Sequence, residues 1–150
     1  YEYLWHNIRE VGGAYGTGML SSDGVEYLYT YRDPHLTESY DTFAKGPAEL
    51  AARDYTEKDL NDLIVGAVAK LDTPRKPRAE ARELDRQYFC GITEAMKAAD
   101  RKALCAVDAA LLKEQAAGLA DAMAAGVKVT IGSRDAVEAA GSLFGRVETL

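Results

Sequence analysis

The eight residues from Arg9 to Gly16 read REVGGAYG and contain the side chains best suited to bind an oxygen anion. Arg9 carries a permanent positive charge on a planar fork of N–H donors, and Tyr15 adds a phenolic donor on a rigid ring. Gly12 and Gly13 allow positive φ values or a close approach to another chain. If both side chains turn toward one place, we expect that place to bind an oxyanion or a peptide carbonyl group.

The same residues are also typical of a plain helix end. Helices commonly finish with a glycine in the left-handed conformation. In that interpretation Arg9 is a solvated cation and Tyr15 is a half-buried ring, and neither has a functional role. The residue types alone leave both interpretations open.

A helix followed by a β-hairpin must position these side chains. Apolar residues at helical spacing predict a helix over residues 2–9, which ends at Gly12-Gly13. Strands are predicted over residues 14–20 and 24–31, because Ser21-Ser22-Asp23-Gly24 between them is a strong hairpin signal. In the second strand, Val25 and three alternating tyrosines share one face.

Helical sequence dominates the rest of the chain. Asp33 is predicted as the N-cap of a helix with Pro34 at its first position, and Gly46-Pro47 is expected to interrupt the region 39–50. Further helices are predicted from Thr56 (capped with Asp59) to Leu71, over 78–90 and 93–105, over 109–124 after Asp108, and from Ser133 through Ala140.

Two more strands are predicted near the end of the chain, over residues 127–131 and 147–150. Val127, Val129 and Ile131 alternate with polar residues, as in a half-buried strand. The order of elements predicts an α+β fold, with an antiparallel sheet and helices packed on one face. At 150 residues the chain is expected to form a single domain.

Composition argues against several classes of function. The net charge of −6 supplies no basic face for phosphate contacts, so nucleic acid is not the expected partner. The sequence has no apolar run of about 18 residues, so no membrane span is predicted. Cys90 and Cys105 are expected to be reduced thiols of an intracellular protein. His6 and His35 lie too far apart to predict a zinc site in this chain.

Common hydrolase motifs are missing as well. The sequence has no G-x-S-x-G, no phosphate-binding loop and no H-x-x-E-H. The chain also begins with Tyr1 and without Met, and we expect it to be a fragment of a longer protein.

The run YLWHNIREVGGAYG, followed by Asp-Gly and then by YTYRDP before a helix, resembles the last domain of presequence proteases and falcilysin. These are members of the pitrilysin/insulinase family of zinc peptidases. The resemblance continues through ITEAMKAADRKAL, the predicted strand 127–131 and SRDAVEAA. It implies a two-layer α+β domain, truncated at its N-terminus, that forms the C-terminal part of a multidomain peptidase.

The resemblance also implies roles for the residues of the first motif. In the family an Arg and a Tyr of the last domain hydrogen-bond the substrate carbonyl or oxyanion opposite the zinc, and Arg9 and Tyr15 match them. Gly12, Gly13 and Ala14 would line the path of an extended peptide. The zinc and the general base belong to the first domain of such an enzyme, so this chain is expected to bind no zinc and to be inactive alone.

Partners follow from the same resemblance: a peptide substrate, the remaining domains of the same peptidase and, through an exposed sheet edge, a second copy of the chain. The alternative is a non-catalytic structural or peptide-binding homologue that keeps the fold. An H-x-x-E-H motif upstream of Tyr1 would distinguish the two. The composition favours the cytoplasm, with an organelle as the other compartment considered.

Overall fold

The computed structural model describes residues 2–22 and 24–149, which form a mostly helical α+β fold with one two-stranded antiparallel hairpin. The elements are α1 (Glu2–Leu4), a π-helix (Trp5–Val11), β1 (Gly16–Ser22), β2 (Val25–Tyr31), α2 (Leu36–Ala52), α3 (Glu57–Leu71), α4 (Pro77–Phe89), α5 (Glu94–Cys105), α6 (Ala109–Ala124), α7 (Arg134–Ala139) and a short 3₁₀-helix (Gly141–Leu143).

The first helix widens before it ends. The amide of Gly12 donates to the carbonyl oxygen of Asn7, five residues earlier, at 3.0 Å, which is the hydrogen-bond pattern of a π-helix. Gly13 then takes a φ of +76°, a left-handed value that favours glycine. The predicted end at Gly12-Gly13 is confirmed, although the helix continues to Val11 instead of stopping near residue 9.

The predicted hairpin is confirmed, although β1 runs over Gly16–Ser22 instead of residues 14–20, so Ser21 and Ser22 belong to the strand and not to the turn. Strands β1 and β2 pair antiparallel, in a register that runs from Gly16 opposite Tyr31 to Ser22 opposite Val25. Gly24 in the connection has a φ of +80°, as tight hairpin turns require. Asp23, the other half of the predicted turn signal, lies outside the described residues.

A small core joins the first helix, the hairpin and α2. Its buried side chains are Ile8, Ala14 and Phe43, with Leu4, Leu28, Tyr40 and Met123 packed against them. The hydroxyl of Tyr3 donates to the carbonyl oxygen of Thr42 at 3.1 Å, which fastens α1 to α2. This core fixes the segment that leads from the first helix into β1.

The start of α2 differs from the prediction. The helix begins at Leu36, so Asp33 is not its N-cap and Pro34 is not its first residue. The Oδ1 atom of Asp33 instead accepts a hydrogen bond from the amide of His35 at 2.9 Å. Asp side chains often make this local bond two residues on, and the resulting turn delays the helix.

The expected interruption at Gly46-Pro47 is wrong, because α2 runs unbroken through both residues. A proline inside a helix removes one N–H donor and crowds the carbonyl four residues earlier. Pro47 is buried, as is Phe43 one turn earlier, so both pack on the inward side of the helix. We infer that this burial offsets the lost hydrogen bond.

The other predicted helix caps, at Thr56, Asp108 and Ser133, are confirmed. Thr56 and Asp59 form a reciprocal capping box at the start of α3. The amide of Leu111 donates to Oδ1 of Asp108 at 2.8 Å. The side chains of Thr93 and Ser133 accept hydrogen bonds from the first turns of α5 and α7 in the same way.

The predicted strand over residues 127–131 does not form in the described part of the chain. Val127, Val129 and Ile131 are 90%, 75% and 84% exposed. A strand needs a hydrogen-bonded neighbour, and the only described sheet consists of β1 and β2. Residues 147–149 are likewise irregular, and Leu150, the end of the other predicted strand, lies outside the described residues.

The chain divides into two compact units. One comprises Tyr1–Ala52 with Gln115–Leu150, and the other comprises Arg53–Glu114. In the second unit, the guanidinium of Arg101 pairs with the Asp72 carboxylate, with Nη1 and Oδ2 3.1 Å apart. Both cysteines are free and exposed. Of the helices in the described ranges, none has the length and apolar character needed to cross a bilayer.

Candidate functional site

Arg9 and Tyr15 meet at the junction of the π-helix and β1. The Arg9 guanidinium donates a hydrogen bond to the Tyr15 carbonyl oxygen. Its central carbon lies 5.4 Å from the centre of the Tyr15 ring and 4.4 Å from the Trp5 ring. Cation–π contact of this kind holds the guanidinium in place. An arginine has five N–H donors, so donors remain for a ligand.

The backbone between the two residues is closely fixed. The amide of Ala14 donates to the carbonyl oxygen of Ile8 at 3.1 Å, and the amide of Tyr15 donates to the carbonyl oxygen of Tyr31 at 3.0 Å. One bond ties the segment to the helix and the other ties it to the hairpin. These two bonds hold Arg9 and Tyr15 close together in space, although they are six residues apart in the sequence.

The Tyr15 side chain faces solvent. It is 62% exposed, and its hydroxyl makes no hydrogen bond to another residue in the described ranges. Its ring packs edge-to-face against Tyr31, with ring centres 5.9 Å apart. Tyr31 therefore supports one part of the ring, and most of the Tyr15 side chain remains accessible to a ligand.

Gly12, Gly13 and Ala14 have different structural roles beside the candidate site. A Cβ on Gly12 would lie 2.7 Å from the carbonyl oxygen of Ile8, so the π-helix end itself requires this glycine. Gly13 supplies the left-handed turn. The Ala14 side chain is buried in the core and presents no surface to a ligand. Two of these three residues thus have structural reasons for their type.

Arg32 is a site residue that the sequence analysis did not single out. Its guanidinium lies 5.7 Å from the Tyr15 ring and 5.3 Å from the Tyr31 ring. Its φ of 48° is left-handed, which is uncommon for a residue with a side chain. The available signal was the Tyr-Arg-Asp-Pro run, in which a cation directly follows an alternating tyrosine strand.

A cavity of about 650 Å³ lies beside the edge of β2 in the same unit. Tyr40 lines it, and its hydroxyl lies 3.1 Å from the carbonyl oxygen of Val129 and 3.0 Å from Oγ1 of Thr130, two other lining residues. The Oδ2 atom of Asp33 is buried and has no hydrogen-bond partner in the described parts of the chain. Arg32 and Asp33 both line this cavity, so it borders the candidate site.

The described residues do not fit a zinc site. Over residues 2–22 and 24–149, no group of three or more His, Cys, Asp or Glu side chains is arranged to hold a metal ion. His6 instead contacts the Glu10 carboxylate at 3.0 Å along one exposed helix face. What the site offers is a cationic donor beside a phenolic donor.

Comparison with known proteins gives one consistent result. A protein-family model described as the PreP C-terminal domain matches residues 1–133. The chain is 32% identical over 108 residues to a mitochondrial presequence protease of Mus musculus and 35% identical over 107 residues to one of Danio rerio. In both cases the match covers 71% of this chain and 10% of the relative.

A bacterial relative matches more of the chain at lower identity. Protein HypA of Clostridium perfringens is 23% identical over 151 residues, which is 100% of this chain and 16% of that protein. The chain therefore spans about a tenth to a sixth of the length of these curated relatives.

Proposed function

Because the chain belongs to the PreP C-terminal domain family, we propose that it is the substrate-clamping C-terminal part of a zinc metalloendopeptidase that degrades unfolded peptides. Residues 1–150 would then be part of the last domain of a longer, two-layer, multidomain enzyme. Its other domains would hold the zinc and would be the main partners of this chain. The match of residues 1–133 to the PreP C-terminal domain model supports this proposal.

The observation that carries the proposal is the proximity of Arg9 and Tyr15. The Arg9 guanidinium lies 5.4 Å from the centre of the Tyr15 ring, and Tyr15 is 62% exposed, so one bound peptide would reach both side chains. A scissile carbonyl gains negative charge as it is attacked, and fixed donors stabilise that charge most in the transition state. Arg9 would bind and orient the carbonyl, and Tyr15 would donate to its oxygen.

The test is the kinetics of Tyr15→Phe in the full-length protein. Loss of one donor to a developing oxyanion lowers kcat by about 10²–10³-fold, and we expect a comparable loss in kcat/KM with unchanged zinc content. Tyr88→Phe is the matched control, since Tyr88 is a highly exposed tyrosine in the other unit. Equal kinetics of the two variants would remove Tyr15 from the proposed role.

A further inference from the structure

Arg32 directly follows β2 and has a backbone conformation that arginine seldom adopts. Its φ of 48° is left-handed, and the residues usually found there are glycine, asparagine and aspartate. The Arg32 side chain is exposed, so burial in the core does not offset the cost of this conformation. The contacts of its side chain are what distinguishes an arginine from a glycine at this position.

Two aromatic rings lie beside the Arg32 guanidinium. Its central carbon is 5.7 Å from the centre of the Tyr15 ring and 5.3 Å from the centre of the Tyr31 ring. Both distances are within the range of cation–π attraction. The two rings also pack edge-to-face, with their centres 5.9 Å apart. The Tyr15 ring therefore has a cation and a second ring beside it, and two consecutive residues supply them.

The backbone of the same two residues is tied to Tyr15 as well. The amide of Tyr15 donates to the carbonyl oxygen of Tyr31 at 3.0 Å and to that of Arg32 at 3.3 Å. These bonds fix the backbone of Tyr15, but they do not by themselves select the rotamer of its side chain. Selection of the rotamer needs contacts with the ring, such as those of the guanidinium and of the Tyr31 ring.

We propose that Arg32 is a positioning residue for Tyr15, and that its guanidinium holds the Tyr15 ring in the rotamer from which the hydroxyl donates to the substrate carbonyl. This inference rests on the proposed function, which assigns that donation to Tyr15. Arg32 itself contacts no reacting atom in this scheme. Its effect on the rate comes from geometry, because a displacement of about 1 Å at a reacting centre costs about 10²-fold.

Arg32→Gly in the full-length protein separates positioning from folding. Glycine adopts a positive φ without strain, and this relief offsets the greater freedom of the unfolded chain, so stability should change little. The Tyr15 ring loses its neighbouring cation, and we expect kcat to fall about tenfold while KM changes less than about twofold. A residue with a purely structural role would not lower kcat in a variant of equal stability.

Two further variants give the control and the rescue. Arg53→Gly is the matched control, because the Arg53 guanidinium lies 5.7 Å from the Tyr55 ring and belongs to the other unit. This control should leave kcat and KM unchanged. Arg32→Lys keeps a cation that reaches the Tyr15 ring, so it should recover most of the lost kcat. Failure of the lysine variant to recover any activity would contradict the role of the cation.

The double variant Arg32→Gly with Tyr15→Phe tests whether Arg32 acts through the hydroxyl. Once the hydroxyl is absent, Arg32 has no donor to position, so adding Arg32→Gly to Tyr15→Phe should not lower kcat further. If Arg32→Gly lowers kcat by the same factor with and without the hydroxyl, Arg32 acts independently of it and the inference is wrong.

A measurement on the 150-residue chain tests the positioning without catalysis. The nuclear Overhauser contact between the ring protons of Tyr15 and Tyr31 should weaken in Arg32→Gly, because the Tyr15 ring then samples other rotamers. Arg53→Gly should leave this contact unchanged. An equally strong contact in Arg32→Gly would show that the ring does not depend on Arg32, and it would overturn the inference.

The outcomes separate the two proposals. If Tyr15→Phe leaves the kinetics of the full-length protein unchanged, the proposed function fails and this inference fails with it. If Tyr15→Phe lowers kcat but Arg32→Gly does not, the proposed function stands and Arg32 does not position Tyr15.

Discussion

The carbonyl oxygen of Ile8 occupies the place where a side chain of residue 12 would begin, since a Cβ on Gly12 would lie only 2.7 Å from it. The wide π-turn brings this carbonyl toward the backbone of residue 12 and leaves room for hydrogen only. The end of the first helix, and with it the placement of Arg9, therefore depends on Gly12.

Gly12→Ala is accordingly expected to destabilise the chain by about 1–3 kcal/mol, the usual cost of forcing extra volume into a packed place. Gly16→Ala adds the same methyl group in open space and should leave stability unchanged or slightly raised. Chemical denaturation of both variants measures the difference. Equal stability of the two would mean that the π-helix end tolerates a side chain.

Arg9→Met should reduce stability as well as ligand binding. The substitution removes the contact with the Trp5 ring and the hydrogen bond to the Tyr15 carbonyl, and charged hydrogen bonds contribute about 1.5–3 kcal/mol. Arg82→Met on α4 is the control for loss of an exposed arginine. Unfolding followed by Trp5 fluorescence compares them, and identical midpoints would show that Arg9 does not order the site.

Thr56→Ala tests the capping box of α3. Loss of a threonine N-cap costs about 0.5–2 kcal/mol. Hydrogen bonds from Thr56 are also the main reason why the pKa of Asp59 lies below its ordinary value, so that pKa should rise in the variant. Thr37→Ala, at an exposed helical position, should neither lower stability nor change the pKa of Asp59. Thermal unfolding and an NMR titration of Asp59 provide the two readouts.

Glu83 gives a pH prediction in the second unit. Side-chain hydrogen bonds from Arg86 and Gln87 hold the pKa of Glu83 at about 2, below its ordinary value of 4.5. The unfolded chain therefore takes up this proton first as the pH falls. The stabilisation is complete above pH 4.5 and is lost as the pH falls toward 2.

Arg86→Met should return the pKa of Glu83 toward 4.5 and flatten that part of the stability profile. An NMR titration of the Glu83 carboxyl carbon in the unmodified chain and in the variant measures this change in pKa. The prediction is wrong if the titration midpoint does not move.

Self-association is expected of the isolated chain, because alternating apolar side chains around Val129 are left in solvent. Such a segment is free to pair with a strand of another molecule. Ile131→Lys places a charge in the row and should shift sedimentation at micromolar concentration toward monomer. Val11→Lys, at an exposed apolar residue outside the segment, should not. A monodisperse monomer of the unmodified chain would contradict this expectation.

Local signals in the sequence were sufficient for the elements that depend on their own residues. The caps at Thr56, Asp108 and Ser133 act within one helical turn, and the hairpin depends on the alternation of two adjacent strands. The proximity of Arg9 and Tyr15 could also be anticipated, because a glycine break between a helix and a strand allows it. Each of these features joins residues that are close in sequence.

Features that depend on distant packing were not predictable in this way. We infer that Pro47 stays within α2 because it is buried together with Phe43. The residues next to Pro47 in the sequence do not reveal this burial. The alternation of apolar and polar residues over Val127–Ile131 indicates a strand, but it does not show whether a second strand lies beside it to form hydrogen bonds. The contacts of the Arg32 guanidinium with the rings of Tyr15 and Tyr31 were not predictable either, because the two rings meet only after the hairpin has formed.

The hydrogen bond between Tyr40 and Val129 spans 89 positions of the chain, and it has a consequence for biosynthesis. At about 5–20 residues per second, the ribosome delivers the second partner between about 4 and 18 s after the first. During most of that interval Phe43 and its neighbours lack their packing partner Met123. The unit Arg53–Glu114, by contrast, is continuous in sequence and is fully synthesised before Met123. Until Met123 has been made, the apolar side chains around Phe43 remain open to solvent on that side, and we expect chaperones to bind them during this interval.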